Sequence, residues 1–148
     1  MSENLVEVWF KINKDAEGFP KTRDWEGLQC LQMGNTCEVR SVPFYLKEVA
    51  YGDRVFVRKS EKGYLEFESV ESRGGYSVFR LWVREHENPL EVVKELLALG
   101  VLVEREDRLI AVAVPPQKDL GQVVSYILTG KDSERWGAQD GFVVESGG

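Results

Sequence analysis

Histidine occurs once in this chain, cysteine twice, methionine twice and proline five times among 148 residues. The cysteines, Cys30 and Cys37, have six residues between them, which is no zinc spacing, and the lone His86 cannot complete a ligand set. They are expected to be two free, buried thiols in a reducing compartment. No cofactor or metal is expected. The chain also lacks a Gly-x-Ser-x-Gly elbow, a His-Glu-x-x-His pair and a phosphate-cradling Gly-x-x-x-x-Gly-Lys-Ser/Thr loop. His86 stands in Arg84-Glu85-His86-Glu87 with no nucleophile beside it, so it is expected on a surface loop.

A basic excess is missing too. Net charge is −6, from 19 Lys/Arg against 25 Asp/Glu. Residues 1–75 hold 11 basic and 13 acidic side chains, a balance of −2; residues 76–148 hold 8 and 12, a balance of −4. Neither part carries the basic stripe that a phosphate backbone demands, so nucleic acid is not an expected partner. Such a charge favours a basic partner through steering. No apolar run approaches the length that spans a bilayer, and no membrane association is expected. Met1-Ser2-Glu3-Asn4 is polar, with no signal-type apolar region after it, which points to a cytoplasmic protein.

What the chain does hold is a run of six apolar residues, Leu109-Ile110-Ala111-Val112-Ala113-Val114, closed by Pro115-Pro116. It reads as a strand covered on both faces, stopped by residues that cannot donate to a ladder. Around it the pattern is β-α-β-β-α-β. Strand Ser77–Arg84 alternates Phe79/Leu81/Val83 with Val78/Arg80/Trp82. Asn88 and Pro89 open a helix carrying Leu90, Val93, Leu96 and Leu97, and Gly100 ends it. Val101–Glu104 is a strand and Arg105–Arg108 a charged turn. Asp119 caps a second helix holding Leu120, Val123, Val124, Ile127 and Leu128 and ending at Gly130, and Gly141–Val144 is a last strand. This order is the split βαβ of ferredoxin-like domains, with its first and third strands central.

Before the Gly-rich joint Ser72-Arg73-Gly74-Gly75 the pattern is all-β. Leu5–Ile12 places Val6, Val8, Phe10 and Ile12 on one face; Leu28–Gln32 and Cys37–Val42 flank a turn at Met33–Thr36; Arg54–Arg58 and Tyr64–Val70 follow. Short strands at this spacing suggest a small barrel or curled sheet. The expected fold is therefore α+β. Residues 1–75 form a small curled β-sheet or barrel packed on a ferredoxin-like half, residues 76–148, with the N-terminal strands covering the second sheet face.

Several pieces, in order, carry a resemblance: Val8-Trp9-Phe10, Gly18-Phe19-Pro20, Val42-Pro43-Phe44, Val49-Ala50-Tyr51-Gly52-Asp53, Gly75-Tyr76-Ser77-Val78-Phe79-Arg80, Leu99-Gly100, Leu109–Val112 and Val114-Pro115-Pro116. Together they resemble bacterial proteins grouped as domain of unknown function 4265, a family to which no activity is assigned. Some members look like small stand-alone proteins of the kind found as immunity partners of toxins. The resemblance thus implies a bacterial protein and carries no catalytic residue over.

Asp53, in the most distinctive of these pieces, is the best carboxylate for chemistry, although Gly-Asp before a strand is what a turn requires. Protein recognition fits the composition better. Trp9, Trp25, Trp82, Trp136, Tyr45 and Tyr51 supply large flat residues of the kind that anchor interfaces. Trp25 and Trp136 lie in polar surroundings and are the expected exposed pair. Acidic stretches at Glu104–Asp107 and Asp132–Glu134 suit a basic surface. The expected partner-binding residues are Trp25, Tyr45, Glu104, Glu106, Asp107 and Trp136. The expected function is a non-enzymatic cytoplasmic protein-binding module, of the immunity type, facing a basic toxin domain. The alternative is a small-molecule-binding or hydrolytic domain using the cleft between the halves.

Overall fold

The structure is a computed structural model, and it describes residues 4–14, 16–18 and 20–144. Met1–Glu3, Asp15, Phe19 and Glu145–Gly148 lie outside the described residues, and with them most of Met1-Ser2-Glu3-Asn4 and the centre of Gly18-Phe19-Pro20.

Five strands close into a barrel: β1 (Leu5–Lys11), β2 (Trp25–Met33), β3 (Thr36–Val39), β4 (Arg54–Lys59) and β5 (Leu65–Ser72). Each neighbour pair is antiparallel except the closing one. There β5 runs parallel to β1 over Val8↔Leu65 and Trp9↔Glu66. Alternation along β1 and β2 explains the interior: Val8, Phe10, Leu28 and Cys30 point in, joined by Cys37, Val39 and Val55. Phe10 stacks on Phe67 at 4.9 Å and fills the space beneath the closing pair. Gly34, at φ +70°, makes the two-residue turn that pairs Met33 with Thr36.

Four further strands, β6 (Ser77–Val83), β7 (Leu102–Glu106), β8 (Leu109–Val114) and β9 (Trp136–Asp140), form a second sheet in the order β7-β8-β6-β9, all antiparallel. Every residue of β8 is buried. One face of this sheet holds Phe79, Leu81, Ile110 and Val112 beneath α1 (Pro89–Ala98) and α2 (Leu120–Asp132), which contribute Val92, Leu96, Val123 and Ile127. On the other face Val78, Ala111 and Ala113 pack against Val42 and Ala50, from the link between β3 and β4. Alanine at two positions of a central strand lets that link lie close. The second sheet face is thus covered by the N-terminal part of the chain, but by the link between β3 and β4 and not by the strands expected there. The chain is α+β: mostly strand, with two helices.

Both helix starts follow the residues that announced them. Asn88 accepts from Leu90 N at 3.0 Å with Pro89 in the first turn, and Asp119 accepts from Gln122 N at 3.3 Å. The faces differ from expectation. Leu96 and Val93 pack on the core as expected, but Leu90 and Leu97 are each 54% exposed and Val92 is buried, so the inward face of α1 is shifted toward Val92. Leu128 is also exposed, and α2 continues through Gly130 to Asp132. The acidic turn shrinks to Asp107-Arg108, because β7 runs on through Glu106, and Asp107 takes φ +55°.

The last strand needs correction. It is Trp136–Asp140, and Gly141–Val144 is irregular, tied to β6 by Val78 N–Phe142 O at 2.7 Å and Gly141 N–Val78 O at 2.8 Å. Trp136 is therefore not exposed. It is fully buried, its indole N–H donates to Ile127 O at 2.9 Å, and its ring lies where α2 presents Gly130. The polar neighbours that suggested a surface belong to an ion cluster instead. Arg135 reaches Glu87 at 2.9 Å and Glu95 at 2.9 Å while its guanidinium sits 4.9 Å over the Trp136 ring.

Candidate binding surface

Of the residues singled out from sequence, Trp25 is 42% exposed and stands on the outer face of the barrel, where the alternation of β2 places it opposite Lys11. Tyr45 is half-buried in the β3–β4 link. Burial pushes its phenol pKa up, with the Glu106 charge adding to the effect. The Arg23 guanidinium lies 5.2 Å over the Tyr45 ring and pairs with Glu106 at 2.8 Å. Thus Tyr45 and Glu106, 61 positions apart in the chain, meet through one arginine at the seam between barrel and sheet. Glu104 faces the same seam and accepts from Val42 N. Burial raises its carboxyl pKa, a rise the Val42 hydrogen bond opposes. Asp107 is exposed at the β7–β8 turn, and Arg105 donates to its carbonyl at 2.8 Å. Glu104 and Glu106 are therefore engaged within the chain while Asp107 stands exposed, and Trp136 is removed from any surface by its burial.

The seam also holds two charges deep in the molecule. Glu26 is 6% exposed and accepts from Phe44 N at 2.7 Å and Tyr45 N at 3.0 Å; burial raises its pKa and these hydrogen bonds oppose the rise. Arg80 is 1% exposed and donates to Leu46 O, while its Nε and Nη1 have no partner among the described residues. Burial brings its pKa down to about 10, against the pull of Glu26, Glu48 and Tyr45. The cavity at this part of the seam, beside Tyr45 and Trp82, is only about 20 Å³, room for a water. A wider recess of about 300 Å³ lies by the joint, where Glu38 and Arg40 face Tyr51 and Tyr76.

Asp53 is fully buried and its oxygens are occupied. Oδ2 accepts from Ala50 N at 3.0 Å and from Arg73 at 2.8 Å; Oδ1 accepts from Gly74 N at 3.0 Å. It closes the turn and clasps the joint to the barrel. Gly74 must be glycine here, because a Cβ would stand 2.5 Å from Gly52 O. His86 is exposed, and burial pushes the Cys30 thiol up to about 12, well away from nucleophilic use.

A larger concavity than either lies elsewhere, outside the barrel at its closing pair. A groove of about 570 Å³ is lined by Trp9, Trp25 and Tyr64, with Glu61, Lys62 and Glu66 among them. Trp25 and Tyr64 are 42% and 56% exposed. The hairpin between β4 and β5 sets Tyr64: Ser60 N donates to Tyr64 O at 2.7 Å, and Tyr64 N to Ser60 Oγ at 3.0 Å, with Gly63 at φ +91°. Trp9 rests on the opposite strand at Gly27. A Cβ at Gly27 would stand 3.1 Å from Trp9 Cζ3 and 2.8 Å from Glu7 Oε2. Glycine is what lets the indole lie against β2, with a carboxylate beside it. Sequence reasoning found Trp25 but missed Trp9 and Tyr64 as lining residues. The available signal was a tryptophan in the outward phase of β1, between buried Val8 and Phe10.

Fold and surface together define a class: a closed five-stranded barrel fused through a glycine joint to a helix-covered four-stranded sheet, bearing an aromatic groove on the barrel. The chain belongs to the family described as Domain of unknown function (DUF4265), whose model matches residues 26–138. Among solved structures it is similar to one titled "Novel crystal structure of a hypothetical protein from Neisseria gonorrhoeae", with a TM-score of 0.77 at 14% identity, covering 99% of each chain. That likeness concerns the fold. No curated protein matches the chain. No helix among the described residues is long and apolar enough to cross a membrane.

Proposed function

We propose that the protein is a non-enzymatic, cytoplasmic protein-binding module whose recognition surface is the aromatic groove on the barrel, and that it works by occlusion, as an immunity-type inhibitor of a bacterial toxin does. The observation that carries this is the exposure of Trp25 and Tyr64 around a concavity of about 570 Å³ that Trp9 completes. Large aromatics left half in water around one recess are the residues that dominate interface energetics. The groups best suited to chemistry are engaged otherwise: Asp53 in its clasp, Cys30 and Cys37 in the barrel core. A net charge of −6 favours a basic partner. The order β7-β8-β6-β9 with two helices on one face supports a ferredoxin-like reading of the second unit.

Affinity capture from the source cell with wild type and with Trp25→Ala/Tyr64→Ala tests the proposal. The partner should be lost from the double variant, since truncating such anchors costs about 2 kcal/mol or more, near thirtyfold in Kd. A partner retained at the wild-type level would overturn it.

The recess by the joint favours a second reading, a small molecule held where Arg40, Tyr51 and Tyr76 converge. A metabolite that raises the melting temperature of wild type but not of Tyr76→Ala would select it.

A further inference from the structure

The molecule uses one arrangement three times. Arg23 lies over Tyr45 and pairs with Glu106; Arg73 lies 4.0 Å over Phe142 and pairs with Asp53; Arg135 lies over Trp136 and pairs with Glu87 and Glu95. In each, a guanidinium has an aromatic face on one side and a carboxylate at its edge. This suits the ion, whose plane stacks and whose N–H fork reaches an anion at the same time.

The groove presents the same two components. Trp9, Trp25 and Tyr64 supply the faces, Glu61 and Glu66 supply carboxylates, and Glu7 lies beside the Trp9 ring at Gly27. Its lining contains no arginine; Lys62 is the lining cation, so the charged side chains of the lining sum to −1. Resting on the reading of this groove as a protein-binding surface, we infer that its occupant is an arginine side chain of a basic partner protein. The guanidinium stacks on the indoles and forks to Glu66 or Glu61. Gly27 leaves the space in which the Trp9 ring approaches β2.

The test titrates the full chain with the peptide acetyl-Gly-Ser-Arg-Ser-Gly-amide and with its citrulline counterpart, which keeps the planar end group and removes the charge. The indole N–H signals of Trp9 and Trp25 are followed by NMR. The arginine peptide should shift both, and the citrulline peptide should bind at least about twofold more weakly, the low end of what cation–aromatic contact gives. Glu66→Gln should weaken the arginine peptide alone, and Trp25→Ala should abolish the response while the circular dichroism spectrum and melting temperature stay at wild-type values. Equal binding of the two peptides, or shifts confined to other parts of the chain, would overturn the inference. If the cellular partner is lost from Trp25→Ala/Tyr64→Ala while the peptides bind equally, the arginine inference falls and the binding module stands. If the partner survives that double variant, the binding module falls as well.

Discussion

Among the described residues three charged side chains are taken out of water, Glu26, Asp53 and Arg80. Glu26 carries a raised pKa, so the native state holds its proton more tightly than the unfolded chain, where the value is near 4.5. The stability it contributes is fully present below that value and is lost as pH rises through the folded pKa. Urea midpoints measured from pH 4.5 upward should therefore change more favourably with pH for Glu26→Gln than for wild type; parallel curves would contradict the assignment. Glu104 shifts in the same direction and stays in both proteins, so it cancels in the comparison. Cys30 and Cys37 give a second expectation at this scale. Both are buried, and the Cys30 thiol is pushed up to about 12. Iodoacetamide at pH 8, followed by intact mass, should leave native protein unlabelled and add two groups per chain in denaturant.

At the scale of elements, the contact of α2 with β9 is the most demanding fit. Alanine in place of glycine inside a helix ordinarily gains about 1 kcal/mol, but a methyl on Gly130 would overlap the Trp136 ring. Gly130→Ala should thus reverse the usual sign and lower stability by roughly 2 kcal/mol in urea denaturation; a gain would refute the packing described. This contact also shows why legibility ran out where it did. Leu109–Val114 declared itself, since six apolar residues before two prolines leave few options. The caps Asn88 and Asp119 are local chemistry and were equally plain. Trp136-Gly137-Ala138-Gln139-Asp140 lacks the β-branched content of a strand, and what makes it one is pairing with β6, a partner more than 50 residues away. In α1, Leu90 and Leu97 misled for the same reason: they are apolar but exposed, while Leu96 and Val93 of the expected face, with Val92, meet the core. Of the groove, Trp25 was legible and Trp9 signalled its outward place on β1, but that these meet Tyr64 and Glu66 follows from barrel closure and not from spacing.

For the molecule as a whole, the Asp53 clasp decides how barrel and sheet are joined. Asp53→Asn removes the Arg73 ion pair and leaves one buried backbone N–H facing an amide, a loss of about 1–3 kcal/mol. Trypsin should then cut after Arg73 faster than in wild type while the far-ultraviolet spectrum is kept; unchanged cleavage would show that other contacts hold the joint. The link from β3 to β4 matters still more. It leaves the barrel, lays Val42 and Ala50 on Val78, Ala111 and Ala113, and returns to the barrel. The floor of the second unit is thus encoded ahead of the unit itself. A gene fragment beginning at the glycine joint would specify a roofed room with its underside open, and two such fragments would meet there, bare side to bare side. The second unit is whole only in a chain that also carries the stretch from Val42 to Ala50.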